Sequence, residues 1–346
     1  MAIANNLNST ARQSSAERAW SRISRFFDNC RKNIPGKKGF PKFKKHSRSV
    51  EYKQSGWKLD EKTKKHLTFT DKNNIGRVKL VGSRDIYFYQ PEQIKRVRLI
   101  RRADGYYVQF CISIEVKEGM LPTGKALGLD MGLKYFYADS FGHTEGNPRF
   151  YAKSENRASR LNRKKSVKYI RGQKQSKNYH RARRRYALQH LKVSRQRKDH
   201  AVKLARCVCV SNDCIVYEDL KVRNLVRNSK LSKSITDAGW SLFRRWVESM
   251  AWKFGKITVA IPPHYTSQYC PSCQRRVKKS LSTRTHACEC GYIEDRDIVS
   301  AIRILQIGLN TVGHTGRYAW GDLPSWSVGA NLSANGESLN QEPLDS

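Results

Sequence analysis

The sequence predicts an α/β fold, with a mainly β segment ahead of a core in which strands and helices alternate. Between Ser49 and Val116, short runs alternate apolar and polar residues, which is typical of half-buried strands. Later, the apolar runs "DCIVYEDL" and "KITVAIPP" flank an amphipathic stretch, "ITDAGWSLFRRWVESMAWKFG". Strand, helix and strand at this spacing indicate βαβ units and a parallel sheet.

Two hairpins are predicted from local patterns. In "IKRVRLIRRADGYYVQFCISIEV", apolar and polar residues alternate on both sides of Asp104-Gly105, a pair that favours a tight turn. The segment from Ala126 to Ser140 has the character of a second hairpin and carries Asp130 on its first strand.

Helices are predicted near the N-terminus and in the core. In "NSTARQSSAERAWSRISRFFDNC", Ser14 and Glu17 have the spacing of a capping box. One face of that helix is apolar and is expected to be buried: Trp20, Ile23, Phe26 and Phe27. The amphipathic core helix has its own apolar stripe: Trp240, Phe243, Trp246, Val247, Met250 and Ala251.

The chain is strongly basic. Its 346 residues include 67 Lys and Arg against 29 Asp and Glu, a formal net charge of +38. Such an excess indicates a polyanionic partner, with nucleic acid favoured over a membrane. The sequence has no apolar run of about 18 residues and no signal-peptide pattern, so we expect a cytoplasmic protein that does not bind membranes.

The positive charge is concentrated in two segments. Residues 151–200 hold 18 Lys or Arg and only Glu155 and Asp199 as acids, and they are rich in helix formers. We expect one or two long helices with cationic faces there, and an extended basic segment at "RKNIPGKKGFPKFKKHSRS", although a solvated loop is an alternative for the latter. The predicted nucleic-acid contacts are Lys42, Lys44, Lys45, Arg160, Arg163, Lys164, Lys165, Arg181, Arg183 and Arg184.

Four of the nine cysteines form a metal-binding pattern. Without a secretory signal, clustered cysteines indicate metal ligands rather than disulfides. Cys270-x-x-Cys273 and Cys288-x-Cys290 bracket a basic loop, as in zinc ribbons with four thiolate ligands. Free buried thiols are the alternative. We expect the zinc to be structural, so a catalytic metal must be held elsewhere.

Three acids stand in unusual places for charged groups. Asp130 interrupts the apolar run "KALGLDMGL", Glu218 ends the strand "CIVYEDL", and Asp297 opens the helix after the cysteines. Each has an ordinary explanation: a turn residue or a partner of a buried Arg, a strand-end acid, or a charge that complements a helix dipole. If they converge, they suit Mg²⁺ or Mn²⁺ and phosphodiester hydrolysis. The nearby Asp219, Glu294 and Asp295 could exchange roles with them.

Four motifs occur in a characteristic order: "LGLDMGL", "VYEDL", "YTSQYCPSC" and "CECGYIEDRD". In this order they resemble the TnpB (OrfB) family of insertion-sequence proteins, which is similar to type V CRISPR effectors. The resemblance covers roughly residues 15–315 and implies a RuvC-like nuclease core of RNase H fold with an inserted zinc ribbon. It implies that Asp130, Glu218 and Asp297 are the catalytic triad, with Thr266, Ser267 and Gln268 in a supporting place. The implied activity is RNA-guided DNA cleavage by a monomer bound to guide RNA and target DNA.

The resemblance also predicts the division of the chain. We expect a partial helical recognition segment and basic linker at 1–48, and a β-rich, oligonucleotide-binding-like wedge domain at 49–122. The nuclease core spans 123–263, including basic helices at 151–211. The zinc ribbon follows at 264–293, the last core helix at 294–314 and a disordered tail at 315–346.

Two departures from the family pattern concern activity. The match begins close to the first helix, which predicts that the family's first wedge strands and much of its recognition helices are absent. In addition, Val299 and Ser300 stand where the family usually has Asn and Ala. A cleavage-deficient guided DNA-binding protein is therefore the alternative function. A transposase that uses a catalytic Tyr is not favoured, because the sequence has no His-x-His pair to accompany such a Tyr. A zinc-ribbon RNA-binding protein without chemistry would leave Asp130 unexplained.

Overall fold

The computed structural model describes residues 7–32, 39–42, 47–71, 75–82, 86, 88–113, 119–280 and 283–314. The predicted contact residues Lys44 and Lys45, and the predicted tail at 315–346, lie outside the described residues. The described residues up to 113 form one compact unit, and those from 119 onward belong to a second.

The first unit combines one helix with two small antiparallel sheets. Helix α1 spans Ser9–Arg31. The strands are β1 (Ser49–Lys53), β2 (Trp57–Leu59), β3 (His66–Phe69), β4 (Arg77–Lys79), β5 (Ile94–Arg101) and β6 (Tyr106–Ile112). The sheet orders are β1-β5-β6 and β2-β3-β4. Tyr52, Leu67, Ile94 and Val97 are almost fully buried in the core that these elements share.

The β5–β6 hairpin is confirmed, but two expectations about α1 are wrong. The two strands pair antiparallel, with Arg101 opposite Tyr106. The predicted N-terminal helix, α1, is confirmed and begins at Ser9, but Ser14 and Glu17 do not cap it, because the Asn8 side chain accepts the N–H of Thr10 at 2.8 Å and caps the helix. The buried positions of α1 are Thr10, Ala11 and Ser14. On the predicted apolar face, Trp20 and Phe27 are exposed by 69% and 53%, and Ile23 and Phe26 are only half-buried.

The second unit is built on a five-stranded mixed sheet. Its strands are β7 (Ala126–Asp130), β8 (Tyr135–Asp139), β9 (Thr144–Gly146), β10 (Cys214–Glu218) and β11 (Ile257–Ile261). They lie in the order β11-β10-β7-β8-β9. The predicted β7–β8 hairpin is confirmed, β9 continues the antiparallel meander, and β10 runs parallel to both β7 and β11.

Helices cover both faces of this sheet. They are α2 (Phe150–Ser166), α3 (Lys177–Ser211), α4 (Val222–Leu225), α5 (Ser232–Ala238), α6 (Trp240–Phe254) and α7 (Arg296–His314). Ile215 and Tyr217 pack in one core with α3 and α6. The alternate residues Cys214 and Val216 pack in another core with Ile304 of α7. The mixed α/β fold predicted from the sequence is confirmed.

The predicted single core helix is interrupted. Gly239 has φ 70°, a left-handed conformation that ends α5 and precedes α6. The predicted stripe is nonetheless correct at Trp240, Phe243, Val247 and Ala251, all of which are buried in α6.

A close approach fixes the position of α7 on the sheet. A Cβ atom at Gly128 of β7 would lie 2.1 Å from the Ala301 carbonyl oxygen and 2.8 Å from Leu305 Cβ. Gly308 of α7 faces Val216 in the same way, with a built Cβ only 2.3 Å from Val216 Cγ1. The absence of side chains at these two positions lets α7 lie directly on the central strands, and this carries the start of the helix toward the end of β7.

Candidate nuclease and zinc sites

Asp130 and Glu218 lie at the carboxyl ends of two neighbouring strands. β7 and β10 run parallel, with Leu129 opposite Tyr217. The next residue on each strand is the acid, so the register places the two acids level with each other. Open α/β sheets bind ligands beyond the carboxyl ends of their strands, where helices leave a crevice.

Asp297 approaches the same edge from a helix. α7 begins at Arg296, and Asp295 Oδ1 accepts the backbone N–H of Asp297 at 2.8 Å, which caps the helix. α7 packs against β7, the strand that ends in Asp130. A third carboxylate is thereby brought to the site by a separate element.

The electrostatics of Asp130 show that the three acids interact. Burial raises the pKa of Asp130 well above its ordinary value, and the nearby charges of Glu218 and Asp297 raise it further. The charge of Arg296 and a hydrogen bond from Ser300 act in the opposite direction. Part of the Asp130 residue is exposed to solvent, but its carboxyl group is surrounded by protein atoms.

Each of the other two acids has partners of its own. Burial raises the pKa of Glu218, against a hydrogen bond from Thr266 and an interaction with His264. Asp297 is paired with Arg296 at 3.4 Å and with Arg284 at 3.6 Å. The arginines offset negative charge at the helix end.

The donor set fits a hard divalent cation. Burial and the charges of Glu218 and Asp297 raise the pKa of Asp130, which a bound cation would counter, and carboxylate oxygens suit Mg²⁺ or Mn²⁺. Among the described residues, the sulfur atoms of the four cysteines all lie within 4.8 Å of one another, and the carboxylate oxygens of the three acids are farther apart than this. The structure thus brings the three predicted acids into electrostatic range, and their catalytic role stays a prediction.

The neighbouring acids considered as substitutes are engaged in other contacts. Asp219 Oδ1 pairs with Arg244 Nη1 at 2.5 Å. Asp295 caps α7 and lies 3.4 Å from Lys134 Nζ. Glu294 Oε1 accepts the backbone N–H of Asp295 at 2.8 Å.

Two hydroxyl groups also belong to the site. Thr266, expected only in a supporting place, donates from Oγ1 to Glu218 Oε1 at 2.6 Å. Ser300, to which the sequence assigned no role, hydrogen-bonds Asp130. The signal for Ser300 was its position three residues after Asp297, because residues i and i+3 share one face of a helix. His264, which interacts with Glu218, has no feature in the sequence that would have predicted its place near the site.

The four predicted zinc ligands converge. Cys270 Sγ lies 3.6 Å from Cys290 Sγ, and Cys273 Sγ lies 3.5 Å from Cys288 Sγ. A tetrahedral zinc site with bonds of about 2.3 Å has sulfur–sulfur edges of ~3.8 Å, so the donor set fits zinc. The tight second pair is followed by Gly291 at φ 87°, whose N–H donates to Cys288 O at 3.0 Å.

Two short strands flank the second cysteine pair. β12 (Thr285–Ala287) and β13 (Ile293–Asp295) pair antiparallel, with His286 opposite Glu294. β13 is followed directly by α7. The cysteine cluster is therefore joined through β13 to the helix that carries Asp297.

The basic segment at 151–200 is helical and largely exposed. All of its predicted contact residues except Lys165 are exposed, and Lys165 Nζ lies 4.5 Å from the centre of the Tyr186 ring. α2 and α3 pack together around a groove of about 290 Å³. The groove is lined by Leu161, Lys164, Lys168, Asn178, Arg181, Ala182 and Arg185. Lys42, in the first unit, is also exposed.

None of the helices in the described ranges has the length and apolar character needed to cross a membrane.

Comparisons with known proteins agree with the motifs. Residues 109–229 match the OrfB_IS605 family, described as a probable transposase, and residues 240–304 match the Cas12f1-like TNB domain family. A Streptomyces pristinaespiralis protein, provisionally named an RNA-guided DNA endonuclease, is 34% identical over 189 residues, which are 54% of this chain and 46% of that protein. The chain thus spans about half the length of that relative.

Two further comparisons cover more of the chain. InsQ of Escherichia coli K12, which has the same provisional name, is 28% identical over 288 residues, 78% of this chain and 68% of InsQ. The structure of a CRISPR-Cas12f ternary complex covers 88% of this chain and 72% of its own chain, at 14% identity. Its TM-score of 0.40 is too low to carry a structural argument.

Proposed function

Because this chain belongs to the TnpB (OrfB) family of insertion-sequence proteins, we propose that it is an RNA-guided endonuclease that hydrolyses DNA phosphodiester bonds. The provisional names of the Streptomyces and Escherichia coli relatives support this proposal. The two family matches include the segments that carry the candidate acids and cysteines.

We further propose that the core of the second unit is RNase H-like, of the RuvC type. The meander β7–β8–β9, with β10 and β11 added in parallel on the other side of β7, supports this assignment. So does the placement of Asp130 on the first strand of the meander and Glu218 on the neighbouring parallel strand.

The observation that carries the proposal is that Glu218 stands level with Asp130 on the neighbouring strand, and that the charges of both Glu218 and Asp297 act on Asp130. Their carboxylates would hold two divalent cations. When bound, such cations supply an activated water and stabilise negative charge at the phosphate under attack. Arg284 and Arg296 would add positive charge beside Asp297.

The remaining features fit nucleic-acid handling. We propose that the cationic faces of α2 and α3 contact the backbone of the guide–target heteroduplex, because in guided nucleases base pairing supplies sequence specificity. We propose that Cys270, Cys273, Cys288 and Cys290 hold one structural zinc ion, and that the thiolates fix the fold between Thr266 and α7.

The decisive experiment is to purify the protein with its bound RNA, sequence that RNA and offer matched DNA in the presence of Mg²⁺. The proposal expects guide-dependent cleavage that an Asp130→Asn variant lacks. Guide-dependent binding without cleavage by the wild-type protein would instead support the alternative of a cleavage-deficient regulator. Failure to retain any RNA would overturn the guided activity.

A further inference from the structure

We propose that Thr266 is a positioning residue that orients the Glu218 carboxylate for cation binding, and that the zinc ribbon keeps Thr266 in place. The proposal rests on the proposed function, since it assumes that Glu218 is a ligand of the catalytic cation. It assigns the ribbon a direct part in building the nuclease site.

The contact between the two side chains is short and shielded from solvent. Thr266 Oγ1 donates to Glu218 Oε1 at 2.6 Å, across 48 residues of sequence. Both residues are only 7% exposed. A hydroxyl bound to one carboxylate oxygen fixes the rotation of the carboxyl group, which is how outer partners commonly orient metal ligands.

The backbone before Thr266 is held in an unusual conformation. Tyr265 has φ 57°, in the left-handed region that aromatic residues seldom adopt. Such conformations persist when the surroundings enforce them, and they cluster at functional sites. Here the Arg276 guanidinium lies 4.2 Å from the centre of the Tyr265 ring, and Tyr265 O accepts the N–H of Gln268 at 2.9 Å. This turn follows β11 and places Thr266 beside Glu218.

The ribbon binds the two residues that follow Thr266. Lys279 Nζ donates to the Ser267 carbonyl at 3.2 Å, and the N–H of Val277 donates to the Gln268 carbonyl at 2.8 Å. Arg276 Nε donates to Gln268 Oε1 at 2.8 Å. Each donor comes from the loop between the two cysteine pairs.

A buried histidine supports the same lysine. The Lys279 ammonium contacts Nδ1 of His286, whose side chain has no exposed surface. His286 lies on β12, close in sequence to the zinc ligand Cys288. Contacts therefore run from His286, two residues before the ligand Cys288, through Lys279 to the Thr266 turn, and from there to Glu218.

The test compares Thr266→Val, which removes the hydroxyl at nearly constant volume, with Thr266→Ser, which keeps it. Mn²⁺ is titrated into the full, zinc-loaded chain, and the Glu218→Gln variant measures Mn²⁺ bound elsewhere. Thr266→Val should raise the Mn²⁺ dissociation constant about 10- to 100-fold, the usual effect of removing such a partner. Thr266→Ser should stay close to wild type, as should Thr144→Val, a matched change at an exposed position of β9.

A merely structural role would give a different result. It would lower the midpoint of thermal unfolding and the fraction of active protein, but leave the Mn²⁺ dissociation constant and the Mg²⁺ concentration for half-maximal cleavage unchanged. That result would overturn the inference. If Thr266→Val does not fold, Lys279→Met provides the second variant: it should weaken Mn²⁺ binding in the same direction while retaining one zinc per chain.

Failure of the inference and failure of the proposed function are distinguishable. If wild type binds Mn²⁺ no better than Glu218→Gln, the cation site itself is refuted, and this inference falls with it. If wild type exceeds Glu218→Gln but Thr266→Val matches wild type, only the positioning role is refuted.

Discussion

Asp130 and Glu218 stand level on adjacent parallel strands, and the charge of Glu218 adds to burial in raising the pKa of Asp130. A buried carboxylate beside another is unfavourable unless a proton or a cation neutralises it. This relationship makes the edge of the central sheet, rather than the cysteine cluster, the place to expect hydrolytic chemistry.

Replacing either acid should abolish Mg²⁺-dependent cleavage and spare binding. Asp130→Asn or Glu218→Gln keeps the shape but removes a charged ligand. The cations contribute several kcal/mol, so cleavage of matched DNA should fall by about 1,000-fold or more. Nucleic-acid affinity, measured by filter binding, should change little. Asp199→Asn, at an exposed position of α3, is the control, and undiminished cleavage by Asp130→Asn would refute the triad.

Filling the gap at Gly128 should displace α7. A Cβ there would lie 2.1 Å from the Ala301 carbonyl oxygen, which belongs to helix backbone and cannot rotate away. Gly128→Ala should destabilise the protein by about 1–3 kcal/mol and reduce cleavage, because Asp297 moves with the helix. Urea unfolding measures the first effect. Gly146→Ala, where a Cβ meets nothing within 4 Å, should be nearly neutral, and equal stability of the two variants would contradict the packing argument.

Removing one thiolate should release zinc. Cys270→Ser leaves three sulfur ligands, and structural zinc sites in small domains contribute about 10–16 kcal/mol of binding free energy at pH 7. We expect metal analysis to find one zinc per wild-type chain and less than one in the variant, together with a lower unfolding midpoint. Cys207→Ser, at an exposed position outside the ribbon, is the matched control. Wild-type protein without zinc would refute the ribbon.

A buried ion pair should give part of the stability a dependence on pH. Lys256 Nζ lies 2.5 Å from Asp213 Oδ1, and the N–H groups of Thr123 and Gly124 donate to Oδ2. Although burial alone would raise it, these partners hold the pKa of Asp213 below its ordinary value. The resulting stability is present above the unfolded pKa of about 3.9 and is lost as pH falls through the lower folded-state pKa.

Asp213→Asn should therefore cost about 3–5 kcal/mol near pH 7, because it leaves the buried Lys256 charge without its carboxylate partner. The difference in free energy of unfolding between wild type and Asp213→Asn should become smaller as the pH is lowered below about 3.9. Urea unfolding of both proteins at several pH values measures it. Zinc release in acid lowers the stability of both proteins and therefore does not change the difference between them. A difference in free energy of unfolding that stayed constant below about pH 3.9 would contradict the role assigned to the Asp213–Lys256 ion pair.

The groove between α2 and α3 should contribute mainly sequence-independent binding. Changing Lys164 or Arg181 to Gln should weaken binding of every guide–target sequence alike. The slope of log affinity against log salt should fall by roughly one for each phosphate that is no longer neutralised. Lys203→Gln, on α3 but paired with Asp199, is the control. Weakening confined to particular sequences would argue against backbone recognition.

Local patterns were sufficient for features that depend on neighbouring residues. Asp104-Gly105 predicted the β5–β6 turn, and the spacing of the cysteines predicted their cluster. The helical stretch of α1 was predicted correctly but its cap was not, because Asn8 caps the helix in place of Ser14 and its side chain also contacts Thr70. The exposed Trp20 shows the same limit, since an apolar stripe does not specify what covers it.

The amino-acid sequence by itself determined which acids and thiols the protein has and which turns and strands they stand on. Tertiary structure decided which of them meet: Glu218 with Thr266, Asp130 with Ser300, and the start of α7 with the end of β7 through the bare backbone of Gly128. The reason is physical. Hydrogen bonds, charge interactions and close packing depend on distances of a few ångströms between residues that lie far apart along the chain.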